Sequence, residues 1–422
     1  MIELMEDERD DEDEVRRHRI AVLGAVIFSG AEESRRERLA RRQARRIYLI
    51  RGDLLPNPRS NTPWQALYLA RNDRAFITTM GVDVSTFNHL LSAGFMTIWN
   101  TTPIPRDDIP TTAVPRAHRR SLDSAGALGL VLHWLNSTMR EVSLMQIFAL
   151  IPSTVSRYLN FALAILLRTL KHIPEGIIQW PAGDKFQELN YLVTARHPLL
   201  TGAFGTLDGL NLPVQTSSDQ EIENATYNGW LHDHFVSSVI AFAADGNIIQ
   251  CRLNAPGSWH DSRVAQPIYE KLRKETPAGY YLVADTAFPR GTDQIAGRIK
   301  APIKAGQRLP SDEIERENLL AFDRQLLSFR QTAKWGMRTL QGSFGRLRIP
   351  LDINHSEQRR DLLEACVRLN NLRAQKVGIS QIRSVYMPIW VQNEQEEVWA
   401  HFESMLFSEQ RQNDRVARFH HM

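Results

Sequence analysis

Cysteine is almost absent from this 422-residue chain: Cys251 and Cys366 lie far apart and show no metal-ligand spacing. That argues against a disulfide-built secreted scaffold and a zinc ribbon, and it fits a reducing compartment. Long apolar runs are missing as well. None reaches the roughly 18 residues needed to cross a bilayer, and the segment Phe161 to Leu167 runs directly into Arg168 and Lys171, as a buried helix segment does. The first residues are acidic rather than basic and then apolar, so no secretory signal is expected. The chain reads as soluble and intracellular, without a membrane partner. Charge of one sign is scarce too, and a net charge of +3 is too small to identify a nucleic-acid binder. No internal repeat is present.

Hydrophobic content of 43% and charged content of 23% are those of a globular protein, and the length predicts a core domain plus at least one accessory domain. The distribution of charge is more informative than its sum. Glu3 to Glu14 is mostly acidic, whereas Arg35 to Arg46 holds seven arginines in twelve residues. Such blocks mark solvated tails, and arginine clusters also suit phosphate contact or nuclear import. Residues 1–61 therefore read as a charged, flexible arm, 62–195 as a helical domain, 196–350 as an alternating strand–helix domain, and 351–422 as a helical extension with a polar tail after Phe407.

Within the helical part, Thr101 to Pro115 carries Pro103, Pro105, Pro110 and Pro115 and reads as a loop, followed by a helix over Ser121 to Asn136. Residues 141–160 then show a helix, a short turn ending in Ile151-Pro152-Ser153, and a second helix opened by a serine cap. This is the pattern of a helix-turn-helix, whose recognition residues would be Ser153, Thr154, Ser156 and Arg157. Two helices joined by a turn also occur in any helical domain.

The alternating region predicts strands at 205–212, 235–243 and 248–254, with Asp245-Gly246-Asn247 as a turn. A helix follows over 262–274, then a nearly all-apolar strand at 280–285, a short strand at 299–304 and a long helix over 312–340. The order predicts an α+β / α/β fold: an RNase H-like core with a mixed five-stranded sheet and flanking helices. An apolar fourth strand fits a central parallel pairing, covered on both faces.

Asp208 lies on the first strand and Asp285 ends the fourth, so both are expected at one site. Clustered carboxylates need a neutralising cation, and hard oxygen ligands suit Mg²⁺ or Mn²⁺. Two such ions support phosphodiester cleavage. A third acid, Asp261, follows Pro256-Gly257-Ser258-Trp259-His260; it reads either as a site residue or, like Ser258, as a helix cap, and His260 as an orienting or structural group.

Gly205-Thr206-Leu207-Asp208-Gly209, Pro256 to Ser262 and Val283-Ala284-Asp285-Thr286-Ala287-Phe288-Pro289 resemble, in order and spacing, the motifs of PIF/Harbinger transposases and the nucleases derived from them. With Asn224 to Trp230, the resemblance covers roughly residues 120–385. It implies a DDE-type endonuclease with Asp208, Asp261 and Asp285 as catalytic metal ligands. It also implies DNA substrates with terminal inverted repeats, a DNA-binding helical region, nuclear localisation and a separate Myb-like partner; self-association is a further expectation.

The chain departs from that family at the last acid, a glutamate on the helix after the fifth strand. Lys334 and Gln341 occupy the two candidate positions, and Asp323 lies three turns too early on the same helix. An ammonium at 334 competes with metal. Two readings follow: a metal-dependent DNA endonuclease or transposase, and a non-catalytic DNA-binding protein derived from one. Lys304, Arg308, Arg330, Lys334, Arg338, Arg346 and Arg348 are expected near the site's edge, with Arg346 and Arg348 as phosphate contacts. Trp335 and Phe344 read as core.

Overall fold

The computed structural model describes residues 2–44, 50–54, 57–105, 114–288, 295, 297–304 and 306–387. The tail after Phe407, part of the proline-rich loop and Pro289 lie outside them. The chain begins with helix α1 (Ile2–Ala44), where the sequence predicts a flexible arm. Residues 16–41 of it are exposed, apart from half-covered Gly24.

Short helices α2 (Pro63–Ala70), α3 (Asp73–Met80), α4 (Val84–Leu90) and α5 (Met96–Thr101) follow. Side-chain caps set the starts of the first three: Thr62 accepts from Gln65 N, Asn72 from Ala75 N and Asp83 from Thr86 N, satisfying N–H groups that a helix leaves free. They pack around α6 (Ser124–Asn136), which is apolar on nearly every side and buried along most of its length. Trp64, Phe76, Phe87, Phe95, Trp99 and Phe148 fill this part of the core.

Helices α7 (Glu141–Phe148) and α8 (Pro152–His172) meet at 93° across a three-residue turn. Ala149 ends α7 in the left-handed conformation (φ 52°). The expected serine cap is not what starts α8. Its N-cap is Ile151, with no side-chain bond, and Pro152 fixes φ in the first turn, where the missing N–H is free of cost. No single helix among the described residues is long and apolar enough to cross a membrane.

After α9 (Lys185–Thr194) the chain enters a mixed six-stranded sheet. Strand β1 (Ala203–Pro213) is followed by α10 (Gln220–Thr226), the two-residue β2 (Tyr227–Asn228), β3 (Asp233–Ala243) and β4 (Ile248–Pro256). β1, β3 and β4 form the expected antiparallel meander, and Gly246 (φ 86°) makes the turn between the last two. Then come α11 (Asp261–Val264), α12 (Gln266–Lys274), β5 (Tyr281–Val283), β6 (Ile299–Lys300), α13 (Glu313–Ser343), α14 (Ser356–Leu372) and α15 (Gln381–Tyr386). β5 is buried throughout and lies parallel to both β1 and β6, which is why its three residues are all apolar. The sheet gains β2 over the five strands expected; two residues are too few to leave a period in the sequence.

α14 packs against α8 and β4. Its buried Asn371 clamps the edge strand, accepting from Ile248 N at 2.7 Å and donating to Ile248 O at 2.9 Å. His197 is buried with its Nε2 2.9 Å from the Tyr386 hydroxyl. Burial, then the neighbouring Arg196 charge, depresses its pKa from 6.5 to about 4. Its neutral form is therefore favoured by folding. This contribution is complete above pH 6.5 and is lost as pH falls from 6.5 through 4, for a total of about 3 kcal/mol. His197→Phe should flatten that window of the melting-temperature profile relative to the native chain; identical acid limbs would refute the assignment.

Candidate active site

β1 and β5 place the first two acids side by side. Thr206 pairs with Val283 in the parallel register, so two residues further along each chain Asp208 and Asp285 reach the same level. Beneath Asp208 on the same strand face, the buried Thr206 hydroxyl meets Thr332 of α13 at 3.0 Å, which ties that helix to the strand. Gly336 continues the close approach: a Cβ there would sit 2.5 Å from the Phe242 ring.

The third acid arrives on the loop from β4. Gly257 allows that loop to pass, since a Cβ would lie 2.2 Å from Phe235 O and 2.5 Å from Thr226 O. The segment resembling the family's flanking motif braces it: Asn228 Nδ2 donates to Gly257 O at 2.9 Å, and Ser258 N donates to Ala225 O at 3.2 Å. The capping reading of Ser258 and Asp261 is not what the structure contains. The N-cap is His260, without a side-chain bond, and Asp261 is the first helical residue. Its carboxylate instead lies over β1, within 2.3 to 2.8 Å of where a Cβ of Gly209 would stand. Any side chain at 209 would displace it.

The three carboxylates feel one another. Burial pushes the Asp208 carboxyl above its ordinary range, and the negative charge of Asp285 adds to this, against the Gly209 N–H, Arg330 and Lys334. Burial also raises Asp261, followed by the charges of Asp208 and Asp285, with His260 opposing. Asp285 goes the other way. Burial acts to raise it, but Arg330, the Ala287 N–H and the Thr286 hydroxyl outweigh burial and hold it low. Arg330 Nη2 donates to Asp285 Oδ2 at 2.8 Å, forming a half-buried ion pair.

Arg330 was legible as one more basic residue near the edge; its pairing with an acid of the site was not. It lies one helical turn before Lys334 on α13, so the two cations share a face. Lys334 is exposed, yet close enough for its charge to reach Asp208. The fourth corner of the cluster is thus cationic. Gln341 is half-buried, and its carbonyl accepts from Arg348 Nε at 2.8 Å. Asp323 is no substitute acid: its Oδ1 accepts from Ile303 N at 2.7 Å.

Carboxylate oxygens suit hard divalent cations. As placed, however, these residues do not fit such an ion. Among the described residues, no three His, Cys, Asp or Glu side chains converge on one point. Asp285 is turned to Arg330, and the positive charge of Lys334 reaches Asp208.

The two arginines expected to meet phosphate also bond within the protein; Arg348 is exposed and Arg346 half-buried. Arg348 also donates to Gly342 O, and with its bond to Gln341 it closes the C-terminal end of α13. Arg346 donates to Met139 O at 3.2 Å and lies 4.7 Å from the Trp134 ring, joining the helical part to the sheet. The sequence does not say which carbonyls a folded arginine meets, so these internal bonds have no signal in it. Lys304, Arg308 and Arg338 are exposed. At the start of α8, Ser153 and Ser156 are exposed and Thr154 and Arg157 half-buried; Ser156 Oγ donates to Glu141 Oε2 at 3.1 Å. Phe344 is core and Trp335 packs against it, as expected.

No curated protein and no solved structure matches this chain. One family does: residues 207–371, which run from β1 into α14 and hold all three aspartates, match the DDE superfamily endonucleases.

Proposed function

We propose that this chain is a transposase-derived protein that binds DNA through an RNase H-like nuclease core and a helix-turn-helix, and in which strand cleavage is suppressed. The observation that carries this reading is the cationic pair at the acid cluster: Arg330 holds Asp285 at 2.8 Å, and Lys334 follows one turn later. The level pairing of Asp208 with Asp285, together with Asp261 folded over Gly209, supports descent from a carboxylate-centred phosphodiesterase. In such an enzyme, Mg²⁺ or Mn²⁺ activates water and stabilises the leaving oxygen.

In this reading exposed Lys334 and Arg338, one turn apart, meet backbone phosphates, while Ser153, Thr154, Ser156 and Arg157 open the recognition helix. The near-right-angle bend between α7 and α8 suits that role. The resemblance to PIF/Harbinger transposases adds terminal inverted repeats as the target, the nucleus as the place of action, and a Myb-like partner for import and end binding. The competing reading, a working metal-dependent nuclease, rests on the same three aspartates.

The test is binding of a fluorescent duplex in EDTA across a salt series. The dissociation constant should rise steeply with salt, and Lys334→Ala/Arg338→Ala should lower the slope by about 2, one ion per lost phosphate contact. A chain that shows no salt-dependent affinity for duplex DNA would sink the proposal.

A further inference from the structure

We infer that α1 is a dimerisation helix, which pairs antiparallel with α1 of a second copy of this chain and crosses it near Gly24. Ile20, Val22, Leu23, Val26, Ile27 and Phe28 keep between 50% and 81% of their surface open, on a helix that runs unbroken from Ile2 to Ala44. So much apolar surface in one exposed stretch marks an interaction face. It is not a membrane span. Nine residues of helix reach about 14 Å, under half of the roughly 30 Å hydrocarbon core.

Charge identifies the occupant. Gly24 is the centre of the apolar run Ile20–Phe28, ten residues after the acidic block ends at Glu14 and eleven before the arginine block opens at Arg35. The helix is therefore close to antisymmetric in sign about its apolar middle. Two antiparallel copies centred on Gly24 bring Asp13 level with Arg35, Glu12 with Arg36 and Asp10 with Arg38. Arg16 comes level with Glu32, again opposite in sign, and Asp11 with Glu37 is like-charged. A parallel pair would set acids against acids and arginines against arginines. Charges flanking an apolar seam choose orientation in this way. Within each helix, Arg36–Glu32 (3.6 Å) and Arg41–Glu37 (3.3 Å) steady the basic half. Nothing lies within 4 Å of where a Gly24 Cβ would stand, which leaves room for the partner's backbone.

Sedimentation equilibrium of the full chain without DNA tests the inference. A dimer is expected, with association at least about a hundredfold weaker in Leu23→Glu/Ile27→Glu. The decisive experiment uses two further variants: Arg35→Glu/Arg36→Glu/Arg38→Glu and Asp10→Arg/Glu12→Arg/Asp13→Arg. Each alone should be monomeric, and an equimolar mixture should restore the dimer, which also shows that neither variant has lost its fold. A monomeric native chain, a dimer untouched by Leu23→Glu/Ile27→Glu, or a mixture that stays monomeric overturns the inference. So does an arginine half that binds DNA while the chain remains a monomer. None of these outcomes depends on whether the nuclease region binds DNA.

Discussion

Arg330→Gln combined with Lys334→Glu should nick supercoiled DNA in Mn²⁺ at least about a hundredfold faster than the native chain, the scale on which one well-placed electrostatic group acts. The change removes two positive charges and adds a negative one beside Asp208, Asp261 and Asp285. Asp285 is freed from its 2.8 Å ion pair, and a carboxylate enters at one of the two positions where the resemblance to PIF/Harbinger transposases leads one to expect an acid. The same change should lower the melting temperature in EDTA, since the half-buried carboxylates then repel without compensation. Mn²⁺ should restore it, whereas the native melting temperature should respond weakly. Lys334→Glu alone should do less, because Arg330 still occupies Asp285. Adding Asp208→Asn to the double variant should abolish both effects. If the native protein nicks DNA and Asp208→Asn stops it, suppression of cleavage is the wrong reading.

Trp64→Ala should cost about 3–5 kcal/mol, the range for deleting a large core aromatic. Trp64 is 1% exposed and stacks on Tyr68 at 5.3 Å and on Phe148 at 5.4 Å. Gly129 of α6 completes the slot: a Cβ there would sit 2.3 Å from the indole. Phe148 is the last residue of α7, so losing the indole also loosens the bent helix pair. Trp64→Phe should cost much less, because among the described residues the buried indole N–H has no hydrogen-bond partner to lose. Urea denaturation provides the check. A loss below about 1 kcal/mol for the alanine variant, typical of a surface change, would show that this cluster does not organise the helical part.

Much of the nuclease-like region was legible beforehand, for reasons of period and punctuation. The meander of β1, β3 and β4 follows from strand-length apolar runs broken by Asp245-Gly246-Asn247, and the parallel place of β5 from its unrelieved apolarity. Asp208 and Asp285 could be brought together because strand order alone brings their ends level. The apolar middle of α1 carries little signal in the sequence, since nine residues fall far below the length of a membrane span and lie between two charge blocks.

The sequence by itself determined most of the strand and helix order of the nuclease-like region, Asp208 and Asp285 on neighbouring strands, and the lysine where the resemblance leads one to expect an acid. Those properties are local or follow from topology. Only the tertiary structure decided that Arg330 pairs with Asp285, that Asp261 lies over Gly209 instead of capping its helix, and that Arg346 and Arg348 donate to Met139, Gln341 and Gly342. The reason is physical. A long cationic side chain has several rotatable bonds and no preference of its own among acceptors, so its partner is set by which carbonyl or carboxylate the fold brings within about 3 Å.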